Sequence, residues 1–218
     1  MVDIWWYGQA CFRIKGKSAC IVCDPYDPGF TGLSPLKLEA DIITVSHQHQ
    51  DHNATSAVKT AEGKDPFVIA GPGEYEISKV NIVGIDSFHD DSGGSARGKN
   101  TIYLINIDDV NIVHLGDLGQ KKLSQEQVEQ LSSCDVLLIP AGGVYTISAK
   151  EAPDIIAQIE PKIVVPMHYK VEGLKFDLES ESKFLESFGK EKLAPVSKLS
   201  VSVERLPEEV EIVLLEKQ

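Results

Sequence analysis

Ser46-His47-Gln48-His49-Gln50-Asp51-His52-Asn53 follows directly on the apolar run Ile42-Ile43-Thr44-Val45, and the reading of the chain turns on this junction. Three imidazoles and a carboxylate fall within the six positions from His47 to His52. Imidazole titrates near neutrality, so neutral rings offer nitrogen lone pairs that suit zinc, iron and manganese, and a carboxylate adds a hard anionic ligand. His47 and His49 are two apart, so in extended chain they face the same way and can grip one ion. Asp51 and His52, just beyond, can turn toward a second. A polar turn that happens to contain histidine is the competing reading, but uncompensated histidines in a cluster serve little structural purpose.

The remaining donors stand in matching surroundings. His89 follows Val83-Gly84-Ile85-Asp86-Ser87-Phe88, Asp117 follows Ile112-Val113-His114-Leu115-Gly116, and His168 follows Ile163-Val164-Val165-Pro166-Met167. Each ends an apolar run, and in sheets flanked by helices sites form outside the carboxyl ends of strands. Strand ends that all carry donors therefore predict one site at one sheet edge. His114 competes with His89, but it lies three residues before Asp117 in the same expected strand, so those two would point to opposite faces. We expect His114 to be a core or supporting histidine.

Outward from these positions, β-branched and apolar runs predict strands at Val2 to Tyr7, Ala19 to Cys23, Asp41 to Ser46, Val80 to Ile85, Thr101 to Ile107, Val110 to Leu115, Val136 to Pro140, Ile163 to Met167, Val201 to Val203 and Val210 to Leu215. Ser124 with Gln127, and Ser148 with Glu151, match the capping box and predict helix starts. Ala152, Ile155, Ile156 and Ile159 keep helical spacing up to Pro161, and a further helix is expected from about Leu178 to Phe188, ending at Gly189. A short helix is expected from Ala54 to Thr60. The glycine-rich, charged stretch Asp90 to Lys99 reads as a flexible surface loop bordering the site. No repeat or linker divides the chain, so one domain over residues 1–218 is expected.

Composition narrows the function. The 218 residues are 42% hydrophobic and 25% charged, an ordinary globular balance. With Lys plus Arg at 21 against 33 for Asp plus Glu, the net charge of -12 repels polyanions, so nucleic acid is not expected as a partner. No apolar window approaches the roughly 20 residues of a membrane span, and a cytoplasmic location is the expectation. Cys11, Cys20, Cys23 and Cys134 are too sparse for a disulfide framework. Cys20 and Cys23 enclose Ile21-Val22, which reads as strand rather than as the tight turn a chelating pair needs.

His47, His49, Asp51 and His52 meet the signature H-x-H-x-D-H in full, and with it the chain resembles the metallo-β-lactamase-fold superfamily of metal-dependent hydrolases. The lone His89, the pair Gly116-Asp117 and the run Pro166-Met167-His168-Tyr169 look like the same family. Within it the chain is most similar to the branch that contains the L-ascorbate-6-phosphate lactonase, through Asp24-Pro25, Ile139 to Thr146 and Pro166 to Tyr169. The resemblance implies an α/β (α+β) fold, a four-layer αβ/βα sandwich with the site at one edge between its sheets. It also implies two divalent metal ions, zinc first and manganese or iron as alternatives. His47, His49 and His89 would hold one ion, Asp51, His52 and His168 the other, and Asp117 would bridge them. Such a pair lowers the pKa of shared water and polarises an acyl or phosphoryl oxygen. Asp51 is then the expected catalytic proton acceptor.

The activity this implies is hydrolysis of an ester, lactone or phosphoester bond in a small molecule, in a protein free to form homo-oligomers. Two alternatives stand beside it. Di-iron oxidoreductases of this fold replace the second histidine of the motif by glutamate, where this chain has His49. A non-catalytic metal-binding module is the other. Arg97, Lys99, Asn100, Tyr145 and Tyr169 lie in neighbouring loops, and the sequence assigns them no role.

Overall fold

The computed structural model describes residues 1–218. The first part of the chain forms β1 (Val2–Gly8), β2 (Cys11–Lys15), β3 (Cys20–Cys23), the one-turn helix α1 (Pro28–Thr31), β4 (Leu38–Glu39), β5 (Ile42–Thr44), β6 (Val58–Lys59), β7 (Phe67–Ile69), β8 (Gly73–Ile77) and β9 (Val80–Phe88). The second part forms β10 (Lys99–Ile107), β11 (Val110–His114), α2 (Gln125–Leu131), β12 (Val136–Pro140), α3 (Ala152–Ile159), β13 (Ile163–Met167), α4 (Glu181–Ser187), β14 (Leu199–Val201) and β15 (Glu211–Ile212). A six-stranded sheet runs β14-β1-β2-β3-β5-β7 and a seven-stranded sheet runs β15-β13-β12-β11-β10-β9-β8. This is a mixed α/β fold of sheets with few helices, as the family resemblance implied.

Side-chain alternation places the core. In β2 and β3, Phe12, Ile14, Ile21 and Cys23 face the second sheet, whereas Cys11 and Val22 face outward into a smaller cluster with Leu33, Leu38, Val45 and Val58. Cys20 and Cys23 therefore point to opposite faces, as a strand requires. β12 (Val-Leu-Leu-Ile-Pro) is buried along its whole length, because α3 covers one face and the first sheet the other. α3 lays Ala152, Ile155, Ile156 and Ile159 on the sheet and stops at Glu160, left-handed at φ 54, just before Pro161. No helix is long and apolar enough to cross a membrane.

Strand directions fix where the site must lie. β1 and β2 are antiparallel, β2 and β3 are antiparallel, and β3 and β5 are parallel, so β1, β3 and β5 share a carboxyl edge. In the other sheet β9 and β10 are antiparallel, as are β10 and β11, while β11, β12 and β13 run parallel. The carboxyl ends of β9, β11 and β13 therefore emerge together as well.

Several local expectations are corrected. Residues 54–60 form only a 3-10 turn at Thr55–Ala57, because no side chain caps Ala54 and β6 then pairs with β4 to bury Val58. The box at Ser124 and Gln127 is complete, but the Ser148 backbone amide and hydroxyl both donate to the Glu151 carboxylate, closing a turn ahead of α3 rather than capping it. The last helix starts at Glu181, since Leu178 is buried in the smaller cluster. β2, β7 and β8 were not expected: Cys11–Lys15 carries two cations, and β7 and β8 are largely exposed.

Candidate metal centre

Six strand ends converge on one edge. β5 leads into the loop that holds His47 to His52, β9 ends next to His89, β11 ends three residues before Asp117, and β13 ends next to His168. Two further residues arrive by the same rule, Gln9 after β1 and Asp24 after β3, both wholly buried. Gln9, Asp24 and His168 have positive φ, at 47, 43 and 52, so the backbone turns sharply where each strand reaches the site. Asp117 lies beyond the strand rather than within it. It is set by Gly116 at φ 56, where a Cβ would collide with Asn100 Oδ1 and stand 2.6 Å from Ser46 Cβ.

All seven donors expected from the sequence come together here. Asp117 Oδ2 is the hub, with the Nε2 atoms of His89 at 3.3 Å, His52 at 3.4 Å, His168 at 3.4 Å and His47 at 3.9 Å. His47 Nε2 lies 2.9 Å from His49 Nδ1, and Asp51 Oδ2 lies 3.4 Å from His52 Nε2 and 3.8 Å from His168 Nε2. Three groups have donor atoms within 4.8 Å of one another and could hold an ion: His47–His49–His89, His47–His52–Asp117 and Asp51–His52–His168. His114 joins none of them. Its Nε2 lies 2.8 Å from the Ala10 carbonyl and its Nδ1 accepts from the Gly116 amide, so it braces the turn that carries Asp117.

Buried partners aim these rings. Asp24 accepts the Ser46 amide at 2.7 Å and the Ser46 hydroxyl at 2.5 Å, and its Oδ2 stands 2.8 Å from His52 Nδ1. Nδ1–H directed at Asp24 turns Nε2 toward Asp51 and Asp117, where a proton or a cation can sit. Ser46 Oγ, 3.0 Å from His47 Nδ1, orients the second ring in the same way. Gln9 Nε2 donates to Asp51 Oδ2 at 3.0 Å. Asn100 accepts the Asp117 amide and donates to Ser87 Oγ and to the Leu115 carbonyl, so it ties strand ends together and is not free for substrate.

The electrostatics suit cations. Burial, reinforced by His52, pushes the His47 pKa down to about 3, which keeps its ring neutral with a lone pair to give. Burial and His89 also lower His49. For Asp51 and Asp117 burial alone would raise the pKa, but His52 and His168 outweigh it and hold both carboxyls below the usual range. His52 is pulled the other way: burial opposes its charge, yet Asp117, Asp51 and Asp24 raise it well above the ordinary value. The ion-pair partners of the three buried carboxylates Asp24, Asp51 and Asp117 are thus all imidazoles, with no lysine or arginine among them. Buried His52 Nε2 and Asp117 Oδ1 have no hydrogen-bond partner. Inward-facing lone pairs, excess buried negative charge and unsatisfied donor atoms are what a cation site requires.

A cleft of about 410 Å³ opens over the centre, with His49, Asp51, His89, Asp117 and His168 on its floor and Arg97, Tyr145, Phe30 and Phe176 on its walls. Tyr169 packs on Trp6, with ring centroids 4.7 Å apart, and belongs to the core. The stretch read as flexible is pinned by its own first residue. Asp90 accepts the backbone amides of Ser92, Gly94, Ala96 and Arg97 at 2.7 to 2.9 Å, which lowers its pKa to about 2.

Residues 3–168 match the family described as Beta-lactamase superfamily domain. A UPF0173 metal-dependent hydrolase of Thermococcus onnurineus is 32% identical over 195 residues, covering 78% of this chain and 85% of the relative. A Thermotoga maritima crystal structure, described as a zinc-dependent hydrolase of the metallo-beta-lactamase superfamily, superimposes with TM-score 0.78 at 35% identity, covering 99% of this chain and 100% of that one. CmlA of Streptomyces venezuelae, a diiron beta-hydroxylase, shares the fold alone, with TM-score 0.62 at 13% identity over 98% of this chain and 53% of that one.

Proposed function

This chain belongs to the beta-lactamase superfamily domain family, and from that membership we propose that it is a metal-dependent hydrolase that takes two divalent cations and cleaves an ester, lactone or phosphoester bond in a small molecule. The observation that carries the reading is the meeting of four imidazole Nε2 atoms within 3.9 Å of one carboxylate oxygen, Asp117 Oδ2. His47, His49 and His89 would hold one cation in this reading and Asp51, His52 and His168 the other, with the Asp117 carboxylate available to both. Zinc suits this imidazole-rich set first, with manganese and iron as alternatives. We also take residues 1–218 to act as one domain, supported by a core cluster that runs from Val2 to Leu215 across both sheets.

When bound, the cations supply water of lowered pKa and polarise the substrate oxygen. The chain's own residues do the rest. Asp51 faces the cleft and accepts from Gln9 Nε2, so its carboxylate is held where it can take a proton and return it to the leaving group. Asp24 and Ser46 keep the Nε2 atoms of His52 and His47 turned inward. The walls limit substrates to compact molecules, since a cleft of about 410 Å³ is at the small end of ligand sites.

Elemental analysis of purified protein, with turnover of p-nitrophenyl acetate, a lactone panel and bis-p-nitrophenyl phosphate, tests the proposal. We expect bound divalent metal, cleavage of at least one substrate class, and a drop of about 100-fold or more on Asp51→Ala. Metal-free protein with all seven donors intact would contradict it. A flat visible spectrum together with hydrolysis separates this reading from di-iron oxidation.

A further inference from the structure

Arg97 is the only lysine or arginine that lines the metal cleft, and nothing in the protein neutralises it. Its guanidinium lies over the Tyr145 ring, 4.8 Å from the centroid, and makes no ion pair and no side-chain hydrogen bond. The nearby lysines differ in this respect: Lys99 is paired with Asp86 at 3.3 Å, and Lys121 with Asp91 at 3.3 Å and Glu151 at 3.5 Å. Arg97 is thus an exposed, unpaired cation at a cleft whose floor carries Asp51 and Asp117, in a chain of net charge -12, and is free to meet an anionic group that enters there.

Its position is fixed. The Arg97 amide donates to Asp90 at 2.7 Å, and the loop is closed by the His89 amide donating to the Gly98 carbonyl at 3.1 Å. One short pinned loop thus carries a metal-centre histidine at its start and the free guanidinium near its end. Tyr145 is set independently, in a segment whose ends are held by hydrogen bonds from Ala141 to Met167 and from Ile147 to Leu118, both 2.8 Å. The Tyr145 ring face lies within cation–π range of the guanidinium, and the Tyr145 hydroxyl, without a protein partner, adds a further donor. Phe30 and Phe176, with centroids 5.1 Å apart, give the same cleft an apolar wall.

We propose that Arg97 and Tyr145 form an oxyanion clamp, so that the substrate carries a carboxylate or phosphate group in addition to the bond that is cleaved. The clamp rests on the hydrolase reading above. Guanidinium is planar, permanently charged and presents paired N–H groups that match either oxyanion, and its charge offsets locally the repulsion that the acidic surface imposes on an anionic substrate.

Metal-loaded wild type, Arg97→Gln and Arg97→Lys are compared on p-nitrophenyl acetate and on p-nitrophenyl hemisuccinate, which adds one methylene and a terminal carboxylate. Equilibrium binding of phenylphosphonate and metal content are measured on the same samples. The clamp predicts that Arg97→Gln lowers the kcat/KM preference for hemisuccinate over acetate about tenfold, mainly through KM, and weakens phenylphosphonate about tenfold, with Arg97→Lys recovering part of both. Metal content should match wild type. Equal effects on the two esters, or an unchanged phenylphosphonate Kd, would overturn the clamp and leave the hydrolase reading standing. Phenylphosphonate weakened by Arg97→Gln in a metal-loaded protein that cleaves neither these esters, nor the lactone panel, nor bis-p-nitrophenyl phosphate would support the clamp and remove the hydrolase reading.

Discussion

Two loops meet over the metal centre, and each is frozen by a single carboxylate in a different way. The loop from Ser46 to His52 is held from behind, where fully buried Asp24 engages the Ser46 amide, the Ser46 hydroxyl and the His52 ring. The loop from Asp90 to Gly98 is held from within, where solvent-facing Asp90 gathers four backbone amides. The first carboxylate orients donor rings directly. The second orients the backbone that carries a ring and a guanidinium. Burial separates their consequences: a partner lost in the dry interior leaves a charge stranded, whereas one lost at the surface is replaced by water.

The largest effect should therefore come from Asp24→Ala, which leaves His52 buried without its carboxylate; we expect a loss of about 3–5 kcal/mol in equilibrium unfolding of the metal-free protein. Removing metal with a chelator comes next, costing about 2.7 kcal/mol when free metal stood at about 100 times Kd. Hydrogen exchange should then rise more in residues 46–52 than at Ser92 to Arg97, because the first loop carries four of the proposed metal donors and the second only His89 at its start. Gly116→Ala should cost about 1–3 kcal/mol, from the left-handed backbone and from the contacts at Asn100 and Ser46.

Asp90→Asn should be mildest. It should loosen the 92–97 amides in hydrogen exchange with little change in global unfolding. The Asp90 carboxyl is lowered to about 2 by the amides of Arg97, Ser92, Ala96 and Gly94, so its contribution is complete above about pH 4 and fades as the pH falls toward 2. An NMR titration of the Asp90 carboxyl with a midpoint near 4 would show that this loop is not pinned, and would erase the contrast between the two.

The same contrast explains what could be read from the sequence. His47 to His52 announces itself because chemistry-bearing residues crowd one strand end, and His89, Asp117 and His168 repeat that placement. Gln9 and Asp24 obey the rule too, but a single polar residue after an apolar run carries no pattern. Only the sheet order shows that β1 and β3 end beside β5. Residues 90–98 misled because glycine and charge usually mean mobility, and one carboxylate accepting four amides leaves no compositional trace. β2 was hidden by Arg13 and Lys15, which occupy half-exposed and exposed positions while Phe12 and Ile14 fill the core.

Anomalous diffraction from crystals, recorded at the zinc, manganese and iron edges, bears most directly on the central claim. The account predicts two cation peaks among His47, His49, Asp51, His52, His89, Asp117 and His168, both in contact with Asp117. An empty site in metal-supplemented crystals, or a single peak that leaves His168 or His89 without an ion, would contradict it.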